Sequence, residues 1–478
     1  MDTTQYPLYL GNIPIQGKTF LPVYDKYSGN MIAEVSLADK SLLEKSIELA
    51  VSATHPFRQM SAIARKQILE HCAKRFTDRF DELVEILCLE VGKPINDSKR
   101  EVQRLIGTFK LAAEEATRIY GEMIPLDISE SGSGYLGFWK RVPIGPCLFI
   151  TPFNFPLNLP AHKIAPAIAV GCPFILKPAS LTPISALIIG EVLAETDLPK
   201  GAFSILPCSG QDAEHLVADD RLILLSFTGS DVVGWQLKAK ASKKEVILEL
   251  GGNAGCIIDE SANLEFAAKR LIFGSFYQAG QSCISVQRIY AHHSIYEKLK
   301  KMLVEQISTL KAGDPKDPDN FIGPVISEKD AKRLIEWIDL AKKAGARVLT
   351  GGKRTGSLVE ATLLENVPPN EKVIKDEVFG PLAVLIPYNN FNEALQAVNN
   401  SRFGLQAGVF TRDLYRAQLA WDVLEVGGVV INDIPSWRSD NMPYGGSKDS
   451  GMGREGVRFA IEHLTEIRML VMNNNDKL

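Results

Sequence analysis

Between residues 145 and 252 short apolar runs alternate with amphipathic ones, and this alternation restricts the fold more than any other feature of the chain. Strand-like runs at 146–150, 173–176, 202–206, 222–227 and 246–250 are separated by helical runs at 161–170, 184–195, 212–218 and 231–241. Continuous Val/Ile/Leu runs suit strands buried on both faces, and a helix between successive strands makes them parallel. The predicted core is therefore a doubly wound α/β sheet, which binds ligands beyond the carboxyl ends of its strands.

The remainder divides around that core. Residues 1–37 read as short strands and turns, and residues 40–115 carry apolar positions at helical spacing, such as Leu69, Cys72, Phe76, Phe80, Leu83 and Leu87. Residues 121–145 read as a protruding hairpin turning at Ser131-Gly132-Ser133-Gly134, and its Phe138 and Trp139 suggest subunit contact. A second α/β series follows, with strands at 255–258, 289–292, near 348, 382–386, 408–411 and 429–432. Residues 466–472 read as a final strand returning to the hairpin. At 478 residues the chain exceeds the ~250–300 at which one core stops growing, so two or more domains are expected.

Composition excludes several classes. A net charge of −4 with 23% charged residues offers no basic footprint for nucleic acid, and no apolar run approaches the ~18 residues of a membrane span. The N-terminus has no basic stretch followed by an apolar one, so a cytoplasmic protein is expected. Seven cysteines, widely spaced and without a C-x-x-C pair, imply neither disulfides nor zinc. Six sit in apolar or tightly turned contexts and read as small core residues. Cys283 differs, because Gly280-Gln281-Ser282-Cys283 sets it among small and polar residues where a thiol can become a thiolate nucleophile.

Other candidates cluster at strand ends. Phe227-Thr228-Gly229-Ser230 closes a strand and opens a helix running through Gly234, an arrangement suited to phosphate binding or to ordinary capping. Lys177 ends a strand of the same sheet, where its charge could hold a ribose or phosphate. Glu249 interrupts the apolar run 246–250; buried, it needs a partner or a raised pKa, as a general base requires. Asn154, in Thr151-Pro152-Phe153-Asn154-Phe155-Pro156, could donate to an oxyanion or simply shape a turn. Gly451-Met452-Gly453-Arg454-Glu455-Gly456 fits a dinucleotide fingerprint by spelling alone; no strand precedes it, and it reads as a turn.

These pieces, in this order, resemble the aldehyde dehydrogenase superfamily: Asn154 in Thr-Pro-Phe-Asn-Phe-Pro, Lys177 in Leu-Lys-Pro-Ala-Ser, Gly229 and Gly234 after Phe-Thr, Glu249 in Leu-Glu-Leu-Gly-Gly-Asn, Cys283 in Gly-Gln-Ser-Cys, Glu377 in Glu-Val-Phe-Gly-Pro, and Pro443-Tyr444-Gly445-Gly446. The resemblance implies a cofactor-binding domain from residues 1–120 and 144–252, a catalytic domain from 253–445, and oligomerisation strands from 121–143 and 460–478 of a homodimer or homotetramer. It implies that Cys283 attacks an aldehyde, that the Asn154 amide and the Cys283 N–H hold the oxyanion, and that Glu249 activates the water that releases a free acid. Thr151, Lys177, Ser180, Gly229, Ser230, Gly234, Glu377 and Phe379 would hold NAD or NADP. Glu249 argues against transfer to coenzyme A, the alternative enzymatic outcome; a non-catalytic protein on the same fold is the other.

Two departures bear on specificity. Phe153 stands where many members have Trp, and Ser180 stands where NAD-preferring members often have a Glu that repels a 2′-phosphate, so the cofactor stays NAD or NADP. The segments 101–104 and 437–444 resemble the branch of lactaldehyde and non-phosphorylating glyceraldehyde-3-phosphate dehydrogenases. Arg104 and Arg438 are candidates to bind an anionic or hydroxylated substrate end, or else plain salt bridges. Ser282, beside the nucleophile, replaces the Arg of some phosphate-handling members.

Overall fold

The computed structural model describes residues 4–474. Four helices precede the main sheet: α1 (Lys40–Gln59), α2 (Ala62–Asp78), α3 (Phe80–Glu90) and α4 (Ile95–Glu115). The first two start where a side chain satisfies an otherwise orphaned N–H, Asp39 accepting from Leu42 and Ser61 from Ala64. The alternating region follows as β1 (Cys147–Ile150), α5 (Asn158–Val170), β2 (Phe174–Lys177), α6 (Ile184–Ala194), β3 (Phe203–Ile205), α7 (Gly210–Ala218), β4 (Leu224–Thr228), α8 (Asp231–Lys240) and β5 (Glu245–Glu249).

The five strands are parallel in the order β5-β4-β1-β2-β3. Chain direction across the sheet reverses between β1 and β4, and a crevice opens at such a point beyond the carboxyl ends. The register places the candidates there: Ile150 opposite Lys177, Phe227 opposite Ile150, and Thr228 opposite Glu249. Leu8–Leu10 extends one edge of this sheet antiparallel to β3. Gly451–Met452 extends the other, paired antiparallel to Leu248 and Glu249. The segment expected to be a turn thus begins as a two-residue edge strand, too short to leave a periodic signal. A Cβ at Gly451 would come within 1.9 Å of the Leu248 carbonyl, so only glycine allows the approach.

The second series builds a seven-stranded sheet, parallel from Thr362–Glu365 to Gly428–Ile431 with Arg347–Thr350 antiparallel at one edge. A third sheet pairs Gly121–Pro125 with Tyr135–Pro143, and the last strand, Thr465–Asn473, with the latter. The expected C-terminal strand segment of 460–478 is therefore shorter. Its first residues belong to a helix, Val457–His463, packed on α5 and α4, and residues 475–478 lie outside the described ones. Ile467, Leu470, Val471 and Met123 stand more than half exposed on this sheet. Among the described residues no helix is long and apolar enough to cross a membrane.

Candidate active site

A cavity of about 400 Å³ opens at the β1/β4 crevice, lined by Asn154, Glu249, Cys283, Glu377, Arg438 and Tyr444 among others. Cys283 reaches it from a strained loop. Gln278, Ala279 and Gly280 are all left-handed, with φ of 50°, 52° and 66°. Two non-glycine residues in that region persist only where neighbours over-determine them. Asp97 of α4 accepts the Gln278 N–H at 2.9 Å, and the Gln278 amide donates to the Asn154 carbonyl. Asn154 Nδ2 donates in turn to the Gln281 carbonyl at 3.0 Å, which leaves its second proton open. The loop also needs the glycines after Glu249, since a Cβ on Gly252 would lie 2.4 Å from the Cys283 carbonyl.

α4 grips the rest of the site with the same face. One turn after Asp97, Glu101 accepts the Leu157 and Asn158 N–H groups at 2.9 and 3.2 Å, fixing the start of α5 just past Asn154. A buried Lys93 balances that carboxylate. Arg104, the next residue on the stripe, points Nε and Nη2 at Asp440, with Nη2 at 2.6 Å from Oδ1. Residues at i, i+4 and i+7 share one helix face, so one rigid rod holds the turn leading to Cys283, the Asn154 loop and the wall carrying Asp440.

The electrostatics are unusual. Burial pushes the Cys283 thiol up to about 12, against a hydrogen bond to the Tyr444 hydroxyl, 3.2 Å from Sγ. Burial also pushes Glu249 well above the usual carboxylate range, and the charge of Glu455 adds to it. Both Glu249 oxygens are buried without a hydrogen-bond partner among the described residues, so nothing there favours the charged form by hydrogen bonding. Glu455 goes the other way: burial raises it, but Lys163 at 2.9 Å, then Arg438 and His162, hold it low. Burial and then Arg438 lower His162, so its neutral ring donates from Nε2 to Asp440 at 2.8 Å. Against its own burial, Asp440 is held well below the usual range by that bond and by Arg104.

At the other end of the cavity Ser230 caps α8, accepting from the Val233 N–H, and the Thr228 hydroxyl is buried without a partner. Glu377 accepts the Gly252 N–H at 2.9 Å, and burial pushes its carboxyl up to about 7. Phe379 meets Phe153 edge-on at 5.7 Å. A helix N-terminus, an unsatisfied hydroxyl and a carboxylate around one crevice fit a nucleotide with its phosphates at α8.

The Aldehyde dehydrogenase family profile matches residues 13–470. The chain belongs to the aldehyde dehydrogenase family. It is 41% identical over 470 residues to the 3-sulfolactaldehyde dehydrogenase of Priestia aryabhattai, covering 98% of each. It superposes with TM-score 0.98 on aldehyde dehydrogenase 21 of Physcomitrella patens, solved in complex with the reaction product succinate, at 47% identity over the whole of both chains. It superposes with TM-score 0.91 on the glyceraldehyde-3-phosphate dehydrogenase GapN of Methanocaldococcus jannaschii complexed with NADP, at 36% identity, covering 95% of this chain and 99% of that one.

In this aldehyde dehydrogenase the cavity gathers Asn154, Gly229, Ser230, Glu249, Ser282, Cys283, Glu377, Phe379, Arg104 and Arg438 from the sequence candidates. Thr151, Lys177, Ser180 and Gly234 do not line it. Lys177 donates to the Pro178 carbonyl at 2.9 Å and Ser180 is exposed at the strand end, while Gly234 sits inside α8 against Leu250. Ser282 lines the wall, but its hydroxyl accepts from Tyr277 at 2.5 Å. Asp97, His162 and Lys163 escaped the sequence reading, while Glu101, Asp440, Tyr444 and Glu455 stood in segments singled out there without being given a role. For Asp97, the spacing ahead of Glu101 and Arg104 on a helix was the available signal.

Proposed function

We propose that this enzyme oxidises small aldehydes bearing an anionic group at their far end, semialdehydes foremost, to free acids. The carrying observation is that Arg104 and Arg438 line the cavity holding Cys283. Arg104 pairs with Asp440 at 2.6 Å, and Arg438 shares Glu455 with Lys163, so each guanidinium is held in place at the cavity wall by a carboxylate. Among the described residues nothing hydrogen-bonds to Arg104 Nη1, which leaves it for a substrate oxygen. The succinate product of the Physcomitrella enzyme and the sulfonated substrate of the Priestia enzyme are both anionic, which agrees with this reading.

In the proposed reaction Cys283 Sγ adds to the aldehyde carbon, and the free Asn154 proton and the Cys283 N–H stabilise the oxyanion. NAD or NADP, when bound, supplies the hydride acceptor. Glu249 then takes a proton from the water that attacks the thioester carbon, the C–S bond breaks to return the Cys283 thiolate, and the acid leaves. Gly229 and Ser230 at the head of α8, with Glu377 and Phe379, would hold the cofactor; Thr151, Lys177, Ser180 and Gly234 would act from its margin.

Kinetics on succinic semialdehyde, lactaldehyde, glyceraldehyde-3-phosphate and propanal test the substrate class. A hydrogen bond to a charged group is worth ~1.5–3 kcal/mol, so Arg104→Met is expected to cost ~10-fold or more in kcat/KM for the anionic aldehydes. Propanal should be nearly unaffected; an equal loss on all four would reduce Arg104 to a structural salt bridge.

We also propose a cytoplasmic homodimer or dimer of dimers, the exposed apolar face around Ile467 and Leu470 being the contact. All seven cysteines are free, as a reducing compartment requires. Light scattering should give two or four chain masses, and a clean monomer would end the oligomer proposal.

A further inference from the structure

We infer that Tyr444 is a catalytic residue whose phenol hydroxyl donates a hydrogen bond to the Cys283 thiolate and holds the nucleophile ready for attack. The inference rests on Cys283 being the nucleophile. The hydroxyl lies 3.2 Å from Sγ, within hydrogen-bond reach of sulfur. While the thiol is neutral either atom can donate; once sulfur is ionised, only the phenol has a proton to give.

The geometry is fixed on three sides. The backbones of Tyr444 and Glu455 exchange hydrogen bonds of 3.0 and 2.6 Å, which pins the residue. The ring is 3% exposed and packs with Ile284 and Leu405 beside Cys283. Arg438 lies over the ring face, 3.7 Å from its centroid. A cation over a phenol draws charge from the ring and strengthens its O–H as a donor. One guanidinium at the substrate wall thereby acts on the nucleophile through the ring between them.

The surroundings make such a donor necessary. Tyr444, Glu249, Glu377 and Arg438 are the ionisable groups facing the thiol. The two carboxyls oppose its ionisation when charged. Arg438 favours ionisation but reaches the sulfur only across the ring. The Tyr444 hydroxyl is the group in direct contact that favours the thiolate, and it does so without losing its proton, since burial raises the phenol well above its usual value.

Tyr444→Phe keeps the ring and its packing and deletes only the donor. The test measures carboxamidomethylation of Cys283 by iodoacetamide against pH, with the labelled peptide identified by mass spectrometry. Losing one hydrogen bond to a charged group is expected to move the midpoint up by about one pH unit. Thiolate nucleophilicity rises with pKa with a slope of ~0.4–0.5, so tenfold less thiolate is partly offset by a ~3-fold better nucleophile. The variant should label about 3-fold more slowly across the neutral and mildly alkaline range, where the thiol is mostly protonated in both proteins. Fluorotyrosine at position 444, a stronger donor, should move the midpoint down. Superimposable profiles for Tyr444→Phe and wild type, with both folded by circular dichroism, would overturn the role. Labelling that leaves dehydrogenase activity intact would instead overturn Cys283 as nucleophile, whichever way the midpoint moves.

Discussion

Cys283→Ser is expected to lose at least ~10³-fold in aldehyde oxidation, because a hydroxyl has no activating base within hydrogen-bond reach here and its pKa lies far above that of a thiol. The cavity offers the sulfur a phenol donor, and both Glu249 oxygens are without partners, so nothing in contact with position 283 would deprotonate a serine. The swap is nearly isosteric and the side chain is only half-buried, so the fold should survive. Reduced nicotinamide formation from succinic semialdehyde is the readout, and an undiminished rate would remove Cys283 from the chemistry.

Glu249→Gln should separate the two halves of the reaction. In the proposed reaction acylation and hydride transfer do not use this carboxylate, so one equivalent of reduced nicotinamide per site is expected in a rapid burst. Hydrolysis does use it, and steady turnover should drop ~10²–10⁴-fold, the usual worth of a general base. The pH dependence follows from the raised pKa. A carboxyl held above its ordinary range gives up its proton only at higher pH, so the basic form, and with it wild-type hydrolysis, grows as pH rises through that raised value. Glu249→Gln should lose that limb. Proton linkage gives the sign for stability: a raised carboxyl pKa favours the folded state at low pH, a benefit lost as pH climbs toward the folded value. The amide variant should therefore be no less stable at alkaline pH. A wild-type enzyme that turned over only with coenzyme A would deny Glu249 its hydrolytic role.

The fold and the chemical centre were legible because both have local signatures. Apolar runs with helices between them specify the parallel sheet, and Asn154, Glu249 and Cys283 stand in short motifs of small and polar residues at strand ends or turns. The contacts that Tyr444 and Glu455 make were not. The two residues meet Cys283 and Lys163 across long sequence separations, and the segment between them reads as a turn although Gly451–Met452 pairs with β5. Arg104 and Arg438 were recognised as arginines worth watching. That Asp440 holds one and Tyr444 stacks on the other depends on packing that no periodicity encodes. Lys177 shows the converse: its place at the end of β2 was readable, but its ammonium bonding back to Pro178 was not.

The grip of α4 on three distant loops has a consequence for synthesis. The helix leaves the ribosome early, with its stripe of Asp97, Glu101 and Arg104 already in sequence, while Asp440, Tyr444 and Glu455 come near the end. N-terminal segments begin to fold as they emerge. A chain stalled before residue 436 carries its thiol, but neither the phenol that steadies it nor the carboxylate that sets Glu249 apart. The contacts of Tyr444 with Cys283 and of Glu455 with Lys163 thus form only after the segment that carries them has docked on the earlier part of the chain.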